Sequence, residues 1–125
     1  ATLAQSINEE CALTDPNTVK VVVDLLGNAM YFSRSTLPYC RSKKNIETTI
    51  PLKHIGIYAY KKTCLQRFTQ LPQSGLEKTE GLEQLRALEN GISVRVVITR
   101  SQQPTFGVDS LGDLEAIRKI IKNKS

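Results

Sequence analysis

The sequence predicts a single α/β domain built on a mixed sheet, and three observations lead there. Short β-branched or period-two runs alternate along the chain with segments of helical period, the pattern of strands and helices sharing one core. Two helix starts, Ser74-Gly75-Leu76-Glu77 and Ser110-Leu111-Gly112-Asp113, carry the serine-to-acid spacing of a capping box. The chain has 125 residues, 40% hydrophobic and 23% charged. That is enough apolar material for a core, at a globular composition. No linker, repeat or low-complexity tract divides it, so residues 1–125 read as one unit.

The elements follow in order. Val19-Lys20-Val21-Val22-Val23 reads as a strand, Asp24 to Asn28 as a Gly-containing turn, and Ala29-Met30-Tyr31-Phe32-Ser33 as the returning strand of a hairpin. Residues 41–50 are polar and aperiodic, hence an exposed loop. His54-Ile55-Gly56-Ile57-Tyr58-Ala59-Tyr60 alternates with period two. One face is apolar (Ile55, Ile57, Ala59), and the other carries His54, Gly56, Tyr58 and Tyr60.

Cys64, Leu65, Phe68 and Leu71 then recur at helical spacing. A helix from Ser74 keeps Leu82, Leu85 and Leu88 on one stripe and stops at Asn90-Gly91. Gly81 within it weakens it slightly. Val94 to Thr99 reads as a strand suited to burial on both faces. A last helix turns Leu114, Ile117 and Ile121 inward and ends in Lys119, Lys122 and Lys124, which suit its C-terminal dipole.

Several function classes are excluded or left without support. No apolar run approaches the roughly 20 residues that cross a bilayer, so no membrane span is expected. The first residues, Ala1-Thr2-Leu3-Ala4-Gln5, lack the basic and apolar regions of a signal peptide. There is no phosphate-binding P-loop, dinucleotide fingerprint or H-E-x-x-H zinc motif. Cys11, Cys40 and Cys64 are odd in number and far apart, which argues against a disulfide framework and for a reducing compartment. Cys64 reads as core filler.

Charge is uneven. Residues 1–40 hold two basic and four acidic side chains, and residues 41–67 hold seven basic and one acidic. Such a block suits an anionic partner, but aromatic residues for base stacking are sparse. A solvated face is the favoured reading, and no nucleic-acid partner is expected.

Four places could carry chemistry. His54, the only histidine, shares its strand face with Tyr58, and Gly56 leaves room for a ligand to approach. Imidazole and phenol at that spacing could hold a polyhydroxylated molecule, although a lone strand histidine is more often structural than catalytic. Glu77, Glu80 and Glu83 recur every three residues and read as a solvated acidic face. Beside Glu83, the amide of Gln84 is suited to sugar hydroxyls. Asp109 follows Phe106-Gly107-Val108 at the mouth of the last helix, where open α/β sheets place ligand and metal groups or where a carboxylate simply caps helical amides.

Four segments in sequence carry a resemblance that goes further. They are Val19-Lys20-Val21-Val22 with Tyr31-Phe32-Ser33-Arg34-Ser35; His54 to Tyr60; Leu82-Glu83-Gln84-Leu85-Arg86; and Gly107-Val108-Asp109-Ser110 with Asp113-Leu114. In order and spacing they resemble the carboxyl-terminal half of the 3-deoxy-manno-octulosonate cytidylyltransferases, also called CMP-Kdo synthetases. The resemblance implies a three-layer, nucleotide-diphospho-sugar-transferase-like fold, of which this chain is the carboxyl-terminal portion. It implies transfer of CMP from CTP to the sugar acid Kdo, assisted by Mg²⁺, for lipopolysaccharide synthesis in the cytoplasm by a homodimer.

By the same resemblance Asp109 is a catalytic, metal-binding aspartate, and Arg34, His54, Tyr58, Glu83 and Gln84 line the sugar-acid pocket. Arg34 is a reasonable fork for a carboxylate. The family's opening strand, its Gly- and basic-rich triphosphate loop and its partner aspartate are not in this sequence, so most of the nucleotide site is expected to be absent from the chain taken alone. Two alternatives stand beside this reading: a sister enzyme for another acidic sugar of the sialic-acid type, and a non-catalytic module binding RNA through residues 41–67.

Overall fold

The structure, a computed structural model, describes residues 1–41, 49–100 and 111–124. The elements are β1 (Thr2–Ser6), α1 (Glu10–Thr14), β2 (Lys20–Val23), β3 (Ala29–Ser33), β4 (Leu52–Tyr58), α2 (Lys62–Thr69), α3 (Gly75–Glu80), α4 (Gln84–Glu89), β5 (Val96–Ile98) and α5 (Leu111–Lys124). The five strands form one sheet in the order β3-β2-β4-β1-β5. Among the described residues only the β1–β5 pair is parallel; the other neighbours are antiparallel. The expected mixed α/β sheet is therefore the fold.

The hairpin forms where the sequence places it. Asp24 accepts backbone N–H bonds from Leu26 (2.9 Å) and Asn28 (2.8 Å), which shape the turn and hold its carboxyl below the usual range. Gly27 takes φ +81°, and a Cβ there would sit 3.3 Å from the Arg95 guanidinium. Both conformation and space ask for glycine.

Strand register decides which residues face the helices. Val21 pairs with Phe32 and with Leu52, and Ala4 pairs with His54. Cross-strand partners share a face, so these residues line one side of the sheet. Phe68 from α2 and Leu85 and Ala87 from α4 complete the buried core there, with Leu82, Val94 and Val96. The apolar set Ile55, Leu3 and Val97 forms a row on the opposite side through the Ile55–Leu3–Val97 pairing. Val97 is 50% and Ile57 61% exposed. The face of β4 that packs against helices is thus the one carrying His54 and Tyr58.

Several expectations are corrected. The helix expected from Ser74 to Asn90 is two helices, because Gly81 adopts the left-handed conformation (φ +65°) and ends α3. Glycine pays little for that geometry, so the chain bends there and restarts at Gln84. Val94 to Thr99 is not buried on both faces: β5 is an edge strand in which Val96 is buried while Val97 and Ile98 are half exposed. Leu65 and Ile121 are exposed rather than inward. Strand β1 and the short α1 lack a strong periodic signal and were not legible; β1 joins the sheet between β4 and β5 because tertiary pairing overrides weak local propensity. Residues 42–48 of the expected loop lie outside the described residues.

Candidate functional site

A row of rings runs along the helix-facing side of β4. Phe32 meets His54 edge-on at 5.0 Å, His54 meets Tyr58 at 5.5 Å, Tyr58 stacks on Tyr60 at 5.8 Å, and Tyr60 reaches Phe68 at 6.0 Å. The Arg86 guanidinium closes the row 5.1 Å from the Phe68 ring. Period-two spacing places His54 and Tyr58 on one face. The long-range partners Phe32, Phe68 and Arg86 come from β3, α2 and α4.

His54 is fixed by the buried Thr2, whose hydroxyl lies 2.9 Å from Nε2. That hydroxyl has one proton, and it donates to the Ile57 carbonyl at 2.9 Å. The imidazole must then be the donor, with its proton on Nε2 and Nδ1 left as an acceptor. Burial depresses the ring's pKa to about 4, so at neutral pH His54 is an uncharged hydrogen-bonding group.

The unfolded chain protonates this ring near pH 6.5 and the folded chain near 4. Between those values the unfolded state binds more protons, and stability falls as the pH is lowered. With screening at a partly exposed ring, the expected loss by pH 4 is on the order of 2 kcal/mol. Denaturant unfolding of wild type and His54→Gln between pH 7 and 4 measures it. The pH dependence should shrink in the variant, and an unchanged profile would contradict the assignment.

Burial, helped by Tyr60 and Glu83, raises the Tyr58 phenol far above its usual range. Tyr58 is therefore a neutral donor and acceptor. Tyr60 is raised for similar reasons: burial first, then Glu83.

The bend at Gly81 sets out Glu83 and Gln84. Gln84 is buried, at 7% exposure, and lines a cavity of about 200 Å³ with Tyr58, Tyr60, Lys61, Phe68 and Arg95. Glu83 projects on the other side, its side chain 70% exposed and 3.8 Å from Arg86, into a polar cleft shared with Gln73, Lys78 and Gly81. Two consecutive residues thus serve two different recesses.

The expected solvated row of glutamates is corrected at two of its three members. Glu77 is buried and bonded to Arg86 Nε (2.7 Å) and Nη2 (2.5 Å), while Glu80 turns toward β3. Sequence spacing showed the helix face but not the donors arriving from other elements.

Arg34 lies just beyond β3. Its Nε donates to the Glu80 carbonyl at 2.9 Å and its Nη1 to the Pro16 carbonyl at 3.1 Å. The structure therefore joins Tyr58 and Gln84 in one cavity, with His54 against Tyr58, while Glu83 lines a separate polar cleft. Arg34 lines neither recess; its bonds tie it to Glu80 at the end of α3. Asp109 lies outside the described residues. Among the described residues no group of three or more His, Cys, Asp or Glu side chains could hold a metal ion, and no helix is long and apolar enough to cross a membrane. Sequence reasoning missed Thr2, whose role appears only once β1 is paired with β4.

Comparisons with known proteins identify the family. A family model described as cytidylyltransferase matches residues 1–98. The 3-deoxy-manno-octulosonate cytidylyltransferase of Chlorobium phaeovibrioides is 46% identical over 94% of this chain and 46% of its own length. The protein of the same name from Parabacteroides distasonis is 48% identical over 92% of this chain and 46% of its own length. A solved CMP:2-keto-3-deoxy-manno-octonic acid synthetase, complexed with CTP, superposes with a TM-score of 0.82 at 43% identity. The match covers 99% of this chain and 49% of that one. The chain spans about half the length of the curated relatives it matches. Matched over most of its length in sequence and in fold, this chain belongs to the cytidylyltransferase family.

Proposed function

We propose that this chain is the sugar-acid-binding portion of a 3-deoxy-manno-octulosonate cytidylyltransferase, which converts CTP and Kdo to CMP-Kdo and pyrophosphate. The observation that carries the reading is the convergence of Tyr58 and Gln84 on one cavity, with His54 against the phenol. Neutral imidazole, neutral phenol, amide and carboxylate offer the mixed donors and acceptors that a polyhydroxylated ligand needs. Arg34 supplies the planar cation for the sugar carboxylate.

In the reaction a sugar hydroxyl oxygen attacks the α-phosphorus of CTP. The bond from that phosphorus to the bridging oxygen breaks, and pyrophosphate leaves with the electron pair as the hydroxyl proton is lost. This chain's groups bind and orient the attacking sugar, which is where positioning contributes most. Mg²⁺, assigned to Asp109 by resemblance, supplies neutralisation of phosphate charge when bound. The proposal includes a homodimer working in the cytoplasm to supply lipopolysaccharide precursors. The Ile55–Leu3–Val97 row, half exposed at Val97, offers an apolar surface for the rest of the enzyme to cover.

The test is pyrophosphate release from CTP by the enzyme at the full length of its relatives, with Kdo, a sialic acid or no sugar. Release with Kdo is expected to exceed that with the sialic acid by about 100-fold or more. Equal or greater release with the sialic acid would transfer the reading to the sister activity, and release with neither would overturn it. Asp109→Ala is expected to abolish Mg²⁺-dependent release, and unchanged activity would refute the metal role.

A further inference from the structure

Arg34 is gripped at its main chain and its side chain. Its backbone N–H donates to Glu80 Oε2 at 3.0 Å, and its carbonyl accepts from Lys20 Nζ at 2.6 Å. Its Nε bonds to the carbonyl of the same Glu80, at 2.9 Å. Glu80 Oε1 also accepts from Ser33 Oγ (2.6 Å) and Tyr31 OH (3.3 Å), so its carboxylate receives three donors from the end of β3. Lys20 is fully buried, and its ammonium is satisfied by the Arg34 and Asp15 carbonyls, the latter at 2.8 Å. A buried ammonium is costly unless its bonds are used. Here the buried Lys20 and the half-buried Glu80 are both directed at one residue.

Glu80 is also the last residue of α3, directly before the left-handed Gly81 that leads to Glu83 and Gln84. One side chain therefore ties the arginine to the bend that presents the hydroxyl-binding pair. We propose that Glu80, backed by Lys20, is a positioning residue that sets Arg34 for the carboxylate of the sugar acid and holds it in register with Glu83 and Gln84. The inference rests on the reading of Arg34 in the proposed function. Nη2 of Arg34 has no partner among the described residues, and the bonds to Nε and Nη1 fix the plane of the fork. With the single Nε proton already donated, a carboxylate meets the guanidinium at its Nη2 end.

The experiment measures KM for Kdo and for CTP in the full-length enzyme carrying Glu80→Ala, Glu80→Gln or Arg34→Ala. Glu80→Ala is expected to raise KM for Kdo about 10-fold or more, with KM for CTP changed less than about twofold, because misplacing a positioning group penalises only the substrate it orients. Glu80→Gln is expected to recover most of the loss. Its amide oxygen can accept the Arg34 N–H, and its NH₂ can donate to the Ser33 hydroxyl. If Glu80→Ala does not fold, Tyr31→Phe with Ser33→Ala removes two of the three donors to the carboxylate and should raise KM for Kdo about threefold. Equal losses for both substrates, no loss for Kdo, or no recovery with glutamine would overturn the positioning role. Arg34→Ala separates the two claims. If it abolishes Kdo binding while Glu80→Ala leaves KM for Kdo unchanged, only the positioning role fails; if it leaves Kdo binding intact, the reading of Arg34 itself fails.

Discussion

Phe32→Ala is expected to cost about 3–5 kcal/mol, the usual penalty for emptying a fully buried aromatic site. Phe32 is completely inaccessible, packs in the main cluster and forms one end of the ring row. Its loss also has a local readout. The His54 ring meets the Phe32 edge at 5.0 Å, and burial alone lowers the imidazole pKa. Admitting water to the vacated space should move the titration of His54 from about 4 toward the ordinary 6.5. Urea unfolding and NMR titration of the single histidine check both effects. A loss below about 1 kcal/mol, or an unmoved His54 titration in the folded variant, would contradict this description of the core.

Glu77→Ala is expected to cost about 3 kcal/mol, because it leaves a largely buried guanidinium without its carboxylate. The side chains of Arg86 and Glu77 are 13% and 7% exposed. Glu77 also accepts the Ser74 N–H at the start of α3 (3.2 Å), and Arg86 bonds to the Leu71 carbonyl beyond α2 (3.3 Å). The pair thus pins α2, α3 and α4 together. Glu83→Gln is the matched control: this exposed partner lies 3.8 Å from Arg86 and should change stability by less than about 0.5 kcal/mol.

The bonds from Arg86 hold the Glu77 carboxyl below the usual range. Its contribution is present above the ordinary glutamate pKa and is lost as the pH falls through the lowered value. Thermal unfolding of both variants at pH 7 and in acid measures the difference. Equal effects of the two substitutions would show that the buried pair has no special weight.

Local patterns revealed much of this molecule, and long-range pairings supplied what they could not. The hairpin was legible because Val19–Val23, Asp24, Gly27 and Ala29–Ser33 determine it among themselves. The shared face of His54 and Tyr58 was legible because strand alternation is strictly local. Which face of β4 turns inward was not, since Ile55 and Ile57 are the more apolar set and only the register with β1 and β2 decides the matter. Gly81 shows a different limit: it was visible as a helix-weakening residue, but the left-handed break needs the packing of both short helices to select it. Glu77 and Glu80 looked alike in sequence. They differ because Arg86 meets one and the end of β3 meets the other. Thr2 and Lys20 gave no local hint at all.

The most direct measurement of the central claim is a titration of the full-length enzyme with Kdo, followed by ¹⁵N NMR of the His54 ring, the Gln84 side-chain amide and the Arg34 Nε–H. These groups come from β4, α4 and the end of β3. If they serve one ligand, all three signals shift along a single saturation curve. Signals that stay still, or that follow unrelated curves, would contradict a common sugar-acid site.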